Sequence, residues 1–259
     1  MSLRKLYLGL ALLFAARMGC AQAITVAAAA DLQSAFPDVA ARFEKNTGGL
    51  VNIVYGSSGN FFAQIQNGAP FDVFFSADID YPQRLETAGL VEPGTLYPYA
   101  SGKIVLWAPN QSKLDLRRGL QVLLDSNIRK IAIANPEHAP YGRAAMAALR
   151  HENIYDKISA KLVLGENISQ AASFALSGSA DVGIVSLSLA LAPAMKEKGK
   201  YVEIPSDQYP PIEQAAVVLK SSAHKEAARH FVEFVKTPAI RDLLRAYGFS
   251  APGVLAARH

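Results

Sequence analysis

The stretch ITVAAAADLQSAFPDVAARF, residues 24–43, decides the fold, because it combines two elements in immediate succession. Residues 24–28 form a short apolar run typical of a buried strand. The next apolar residues recur at intervals of three and four, the spacing of a helix with one buried face. They are Leu32, Ala35, Phe36, Val39 and Phe43. The stretch therefore predicts a strand and a helix joined by the short turn 28–31.

The same alternation continues along the chain. Further strands are predicted at 51–55, 71–76, 103–108, 131–134, 161–164, 181–185 and 214–219. Helices are predicted between them, including one at 116–124, and two amphipathic helices at 223–236 and 239–247 finish the chain. Strands that alternate with helices are typical of an α/β protein with mainly parallel sheets.

The series restarts after the strand at 103–108, which predicts two lobes joined by two hinge crossings near Gly102 and Ser221. The first lobe would contain residues 24–102 and 221–259, and the second lobe residues 103–220. Two lobes joined in this way can close over a ligand. One uninterrupted sheet is the alternative that the pattern leaves open.

The first 23 residues have the features of a cleaved secretory signal. A basic start at Arg4 and Lys5 precedes the apolar run 6–16, and residues 21–23 (Ala-Gln-Ala) match a signal-peptidase site. The apolar run is too short to cross a bilayer. Cys20 raises the alternative of a lipoprotein, which the residues before it disfavour. The sequence thus predicts an exported protein.

Charge and composition exclude several classes of function. The leader holds three of the 26 basic residues and no acidic one, which leaves 23 Lys and Arg against 22 Asp and Glu. No basic run remains, so a nucleic-acid partner is not expected. The motifs HExxH, GxxxxGK(S/T) and GxSxG are absent, and the chain after the leader has no cysteine nucleophile. These observations argue against an enzyme.

Small or hydroxyl residues occupy four predicted turns between a strand and a helix, at 28–31, 56–59, 139–142 and 166–169. The first turn of a helix has free N–H groups and a partial positive charge, so such turns bind anions without Lys or Arg. In α/β sheets, ligands bind at the carboxyl ends of the strands, where all four turns would lie. The alternative is that each turn is an ordinary helix cap, a role that suits Ser58 and Asn167.

Seven blocks of sequence, in order, resemble the periplasmic molybdate-binding proteins of ABC importers, the ModA family. The blocks are AAAADL (27–32), GSSG (56–59) with QIxxGAP (64–70), FFSAD (74–78), NPEHAPYG (135–142), GEN (165–167), GIV (183–185) and YGF (247–249). The resemblance implies the two-lobed type II periplasmic binding fold with two hinge crossings. It also implies that molybdate or tungstate binds as an oxyanion between the lobes, with no cofactor, no catalytic residue and no bare metal ion.

The resemblance also implies which residues contact the anion. They are Ala30 or Asp31 in the first turn, Ser58, Tyr141, Ile168 through its backbone N–H, and Ser186. Many members have Ser or Thr in the first turn, where this chain has Ala30 and Asp31. A carboxylate near a dianion is repelled, so the Asp31 side chain is expected to turn away and cap its own helix.

The family's role implies delivery of the anion to a membrane permease and its ATPase subunit by a monomeric receptor. Two alternatives remain open from the sequence. One is a receptor of the same fold for another oxyanion, such as sulfate or thiosulfate. The other is an exported α/β hydrolase, which would need a nucleophile and base that no motif supplies.

Overall fold

The computed structural model describes residues 23–253. The predicted leader, including Cys20, lies outside the described residues apart from Ala23. Among these residues the structure has ten strands, which are β1 (Ile24–Ala29), β2 (Val51–Gly56), β3 (Val73–Ser76), β4 (Tyr97–Gly102), β5 (Ile104–Pro109), β6 (Ile131–Ala134), β7 (Leu162–Gly165), β8 (Val182–Ser186), β9 (Gly199–Glu203) and β10 (Ile212–Val218).

The helices alternate with the strands. They are α1 (Phe36–Thr47), α2 (Ser58–Gln66), α3 (Asp80–Thr87), α4 (Pro140–His151), α5 (Tyr155–Ile158), α6 (Ile168–Leu176), α7 (Leu187–Ala190), α8 (Pro193–Lys198), α9 (Lys225–Val235) and α10 (Pro238–Ala246). Short 3-10 helices occur at Ala30–Ser34, Leu116–Leu124, Ser159–Lys161 and Ser206–Gln208. Within residues 23–253, no helix has the length and apolar character needed to cross a membrane.

The strands form two five-stranded sheets with matching topology. The first sheet has the order β2-β1-β3-β10-β4 and the second the order β7-β6-β8-β5-β9. In each, three parallel strands are followed by one antiparallel strand, β10 in the first and β5 in the second. We call the first sheet with its helices the first lobe, and the second sheet with its helices the second lobe. The α/β class that the alternation predicts is confirmed.

Both faces of the first sheet are buried, which explains the unbroken apolar run of β1. Val26 and Ala28 face a core that contains Phe36 and Phe231, while Ala27 faces a separate core with Phe61. Successive side chains of a strand point to opposite faces, so both registers of β1 must be apolar. Ala29, Ala30 and Ala77 instead join the main core of the second lobe. The lobes are therefore in apolar contact where β1 ends.

The chain passes from the first sheet to the second between Gly102 and Ile104. It returns between Glu203 and Ile212, because β10 pairs with β3 and β4 of the first sheet. The predicted crossing near Ser221, which put residues 103–220 in the second lobe, is therefore wrong for β10. An apolar run predicts a strand, but it does not indicate which of the two sheets that strand joins.

Periodicity missed or misassigned several elements, and three of them are the strands β4 and β9 and the stretch Leu116–Leu124. The edge strands β4 and β9 were not predicted, since both contain polar or glycine residues and little apolar alternation. Residues Leu116–Leu124 form 3-10 turns rather than an α-helix, because Gly119 has a φ of 57° that breaks the helical path. None of the three contributes a side chain to the cleft described below.

Candidate functional site

A small cavity lies in the cleft between the two lobes, at the carboxyl ends of the parallel strands. Its lining includes Ala30, Asp31, Ser57, Ser58 and Ala77 of the first lobe and Tyr141, Asn167 and Ile168 of the second. The cavity volume is about 10 Å³, close to the minimum that holds one water molecule. Entry of a larger ligand requires the lobes or the lining side chains to move apart. Five of the six predicted ligand residues thus lie around one cavity.

Four helices begin at this cavity. They are the 3-10 helix from Ala30, α2 from Ser58, α4 from Pro140 and α6 from Ile168. The first N–H groups of each helix have no partner within the helix, and they carry a partial positive charge. None of the described residues that line the cavity is a lysine or an arginine. Any positive potential there comes from backbone dipoles.

Asp31 does not cap its own helix, so the expected cap is wrong. The helix begins after Ala29, and no side chain caps it. The Asp31 carboxyl is fully buried, and its Oδ2 accepts hydrogen bonds from Tyr141 Oη at 2.8 Å and Gln214 Nε2 at 2.7 Å. Its Oδ1 is buried and has no hydrogen-bond partner. Among the described residues, it is the one buried side-chain oxygen or nitrogen without such a partner. The carboxyl turns into the cleft because two hydrogen bonds there stabilise it more than one cap on its own short helix would.

Burial shifts the ionisation of the groups around Asp31. Loss of solvent raises the pKa of Asp31 to about 6, although the hydrogen bonds from Gln214 and Tyr141 act to lower it. Burial also raises the pKa of Tyr141 well above its usual value, and the charge of Asp31 adds to that effect. Tyr141 therefore remains a protonated hydrogen-bond donor at physiological pH.

Ser58 is the first residue of α2 rather than its N-cap. The N-cap is Ser57, whose side chain makes no capping hydrogen bond. Ser58 Oγ accepts a hydrogen bond from Ala77 N at 2.9 Å, in a position where the residue is 1% exposed. Ser57 Oγ lies 3.0 Å from His138 Nδ1 of the second lobe. Ser58 thus joins the ends of β2 and β3, and its hydroxyl hydrogen can still be donated to a ligand.

On the second lobe, Asn167 is the N-cap of α6, as the sequence predicts. Its side-chain oxygen accepts a hydrogen bond from Gln170 N at 3.0 Å. This cap leaves Ile168 at the first helical position, buried and lining the cavity. The backbone N–H of Ile168 has no partner within its helix, which is a general property of that position.

Ser186 does not line the cavity in this structure, and its contact with an anion stays a prediction. The Ser186 hydroxyl caps α7 by accepting from Leu189 N at 3.3 Å, and it lies 3.0 Å from Ser188 Oγ. Ser188 Oγ in turn donates to the backbone oxygen of Asp31 at 2.8 Å. Ser186 therefore supports the turn of Asp31 through Ser188.

Sequence reasoning missed Gln214, which holds both Asp31 and Tyr141. Its Nε2 lies 2.9 Å from Tyr141 Oη, and its Oε1 accepts a hydrogen bond from Tyr99 Oη at 2.6 Å. The signal in the sequence was a polar amide at the start of the predicted apolar strand 214–219, because a polar side chain that becomes buried is normally hydrogen-bonded.

Several further contacts hold the lobes together around the cavity. Gly59 N donates to His138 O at 2.9 Å, and Ser169 Oγ donates to Gln33 Oε1 at 2.5 Å. Arg143 of α4 forms an ion pair with Asp78 of the first lobe. The structure therefore shows the lobes in contact, with the cavity closed between them.

A larger cavity of about 460 Å³ shares Ala77 and Pro140 with the small one. Its lining contains the carboxylates of Asp78, Asp80 and Glu213 against the single cation Arg143. That balance of charge does not favour an anion. Within residues 23–253, no group of three or more His, Cys, Asp or Glu side chains is placed to hold a metal ion.

Comparison with known proteins identifies the family to which this chain belongs. Residues 24–250 match the family model described as bacterial extracellular solute-binding protein. The chain is 38% identical over 226 residues to the molybdate-binding protein ModA of Rhodobacter capsulatus, covering 87% of each chain. The solved periplasmic molybdate-binding protein of Azotobacter vinelandii is 38% identical and superposes with a TM-score of 0.83, over 88% of this chain and 99% of that one.

More distant structures share the fold alone. The sulfate-binding protein SubI of Mycobacterium tuberculosis superposes with a TM-score of 0.70 at 22% identity, over 91% of this chain and 90% of that one. The two-lobed binding-protein fold that the sequence predicts is confirmed by these superpositions. The chain belongs to the bacterial extracellular solute-binding protein family.

Proposed function

We propose that this protein is the substrate-binding component of an ABC importer and that it binds molybdate, with tungstate bound similarly, between its lobes. The observation that carries the proposal is the cavity at which four helices begin and to which both lobes contribute. The similarity to molybdate-binding proteins at 38% identity over most of both chains supports the same ligand.

Neutral donors suffice to bind a dianion in this cleft. A hydrogen bond to a charged group contributes about 1.5–3 kcal/mol net. Five to seven such bonds would support an affinity in the nanomolar range, about −12 kcal/mol, after the costs of closure. The donors proposed here are the hydroxyl of Ser58 and the first-turn N–H groups at Ala30, Asp31, Tyr141 and Ile168, since the Tyr141 hydroxyl already donates to Asp31. Ser186 is left out because it does not line the cavity.

Release and capture of the anion would use the two crossings between the sheets as a hinge. The lobes are connected at 102–104 and 203–212. The other contacts across the cleft are hydrogen bonds, the Arg143–Asp78 ion pair and the apolar contact at the end of β1, all of which are non-covalent and can open. Opening would admit the anion, and closure would bring the donors of both lobes onto it. The closed form would then deliver the anion to the membrane permease and its ATPase subunit.

The role needs a periplasmic, monomeric protein without catalytic activity. The apparent leader at residues 1–23 supports export, and membership of a family of solute-binding proteins supports binding rather than catalysis. We therefore place the protein in the periplasm as a soluble receptor for the importer.

Titration calorimetry of residues 24–259 with sodium molybdate, tungstate and sulfate tests the proposal. Tight one-to-one binding of molybdate and tungstate, with sulfate at least a hundredfold weaker, is expected if the cavity selects by size. Tight binding of sulfate or thiosulfate with weak binding of molybdate would instead assign the site to another oxyanion. Absence of binding of every oxyanion would reject the proposal.

A further inference from the structure

An acidic side chain in a site for an anion needs an explanation, and Asp31 is such a side chain. Asp31 is one of the residues that line the cavity, and it is completely buried. Oδ2 is saturated by Tyr141 Oη at 2.8 Å and Gln214 Nε2 at 2.7 Å, whereas Oδ1 has no partner. A buried carboxyl oxygen without a partner is unfavourable, so a ligand or a proton is expected to satisfy it.

No cation neutralises this carboxyl. Among the described residues, none of the ion pairs includes Asp31. Burial raises the pKa of Tyr141 on α4 and of Tyr99 on β4, and the charge of Asp31 raises both further, so both remain neutral donors. Gln214 on β10 and Ser188 on α7 carry no charge. A dianion placed beside an ionised Asp31 would therefore be repelled by it, and no charged side chain paired with Asp31 offsets that repulsion.

We propose that the anion binds together with one proton, which lies between Asp31 Oδ1 and an oxygen of the anion. This inference rests on the proposed function. The proton is taken from solution on binding, so a dianion and one proton enter the cavity while Oδ2 keeps its two donors. Asp31 then acts as a neutral hydrogen-bond partner of the anion instead of repelling it.

The position of the proton has a consequence for selectivity. Any anion that binds must share a proton with Oδ1. An anion whose oxygen atoms are more basic is therefore bound more tightly than an anion of the same shape whose oxygen atoms are less basic. Asp31 would therefore be a specificity-determining residue in addition to the size of the cavity. It would also link binding to pH, because the free carboxyl ionises as the pH rises.

Calorimetry with sodium molybdate in two buffers of different ionisation enthalpy, between about pH 6 and about pH 9, measures the proton directly. We expect uptake of about one proton per anion at the alkaline end, and an affinity that falls about tenfold for each pH unit there. Asp31→Asn replaces the neutral carboxyl with an amide of the same shape, whose oxygen can still accept from Tyr141 and Gln214. It should bind with no proton uptake and with little dependence on pH.

A matched variant addresses the histidine nearest the site. His138 contacts Ser57, which lines the cavity, so His138→Gln should keep the proton uptake of the parent protein. If Asp31→Asn fails to fold, the buffer series on the parent protein and on His138→Gln still shows whether molybdate binding takes up a proton. Molybdate binding without proton uptake would overturn the inference and leave the proposed function intact. Absence of molybdate binding at every pH would reject the proposed function itself.

Discussion

The hydroxyl of Tyr141 and the carboxyl of Asp31 meet across the cleft, with Tyr141 Oη 2.8 Å from Asp31 Oδ2. Tyr141 is the second residue of α4 in the second lobe, and Asp31 follows β1 of the first. The two residues are 110 positions apart in the chain, and both are buried. The contact therefore couples closure of the lobes to the ionisation of Asp31.

Replacing Tyr141 with Phe is expected to weaken both closure and binding. The change removes one donor to the buried Asp31 carboxyl, and leaving a buried group short of a hydrogen bond costs about 1–3 kcal/mol. Molybdate affinity should fall roughly tenfold to a hundredfold. Titration calorimetry measures the affinity, and urea unfolding measures the stability.

Tyr209→Phe is the control for that change. Tyr209 is also buried, but its hydroxyl accepts from Ile104 N at 3.4 Å and it does not line the cavity. It should keep the affinity of the parent protein. Equal affinity in Tyr141→Phe and Tyr209→Phe would show that the Tyr141 hydroxyl has no part in binding.

Replacing Ser58 with Ala is expected to affect stability as well as binding. The hydroxyl accepts from Ala77 N inside the protein, so its removal leaves a buried N–H group without a partner, at a cost of about 1–3 kcal/mol. Molybdate affinity should fall about tenfold or more, because a hydroxyl donor at the cavity is lost. Ser177→Ala, at the exposed end of α6, is the matched control. An unchanged affinity in Ser58→Ala would limit Ser58 to a structural role.

Asp31 predicts how the stability of the ligand-free protein depends on pH. The pKa of Asp31 is about 6 in the folded protein against an ordinary value of 3.8, so the folded state binds more protons between these values. The free energy of unfolding should therefore fall as the pH rises from about 4 to about 7, by a few kcal/mol. Asp31→Asn should flatten this part of the profile and be more stable than the parent protein at pH 8. Denaturation at a series of pH values measures both, and identical profiles for the two proteins would refute the prediction.

The order of strands and helices could be predicted from the sequence because the parallel strands are buried on both faces. Runs such as 131–134 and 182–185 have no charged or polar side chain. The first is followed by the loop 135–139 and the second by Ser186, and each leads into a helix. The turn positions at Ser58, Tyr141 and Ile168 follow directly from that order. Their convergence on one cavity follows from the fold and from the family resemblance.

The sequence could not predict which hydrogen-bond partner each polar group has in the folded protein. Asp31 is a favoured N-cap by residue type, yet it accepts from Tyr141 and Gln214, which lie 110 and 183 positions away. Ser58 suits a cap equally well, yet its hydroxyl accepts from Ala77, which directly follows β3. A local preference worth about 1 kcal/mol is easily outweighed by two tertiary hydrogen bonds to a buried group.

The contact of Gly59 with His138 predicts a way to hold the lobes apart. A Cβ atom at position 59 would lie 2.7 Å from His138 O and 2.9 Å from His138 Cα, both of them backbone atoms of the opposite lobe. Gly59→Ala therefore cannot keep the present closed arrangement. Gly59 is the second residue of α2, where alanine favours the helix over glycine by up to about 1 kcal/mol, so the first lobe itself should not be weakened.

The expected result of Gly59→Ala is a more open protein that binds molybdate at least tenfold more weakly, while its unfolding free energy is unchanged or slightly raised. Small-angle scattering with saturating molybdate should show a larger radius of gyration than in the parent protein. Gln64→Ala, an exposed position on the same helix, should keep the parent's radius and affinity. If Gly59→Ala is as compact as the parent protein and binds molybdate equally well, then close approach of the lobes at His138 is not required for capture of the anion.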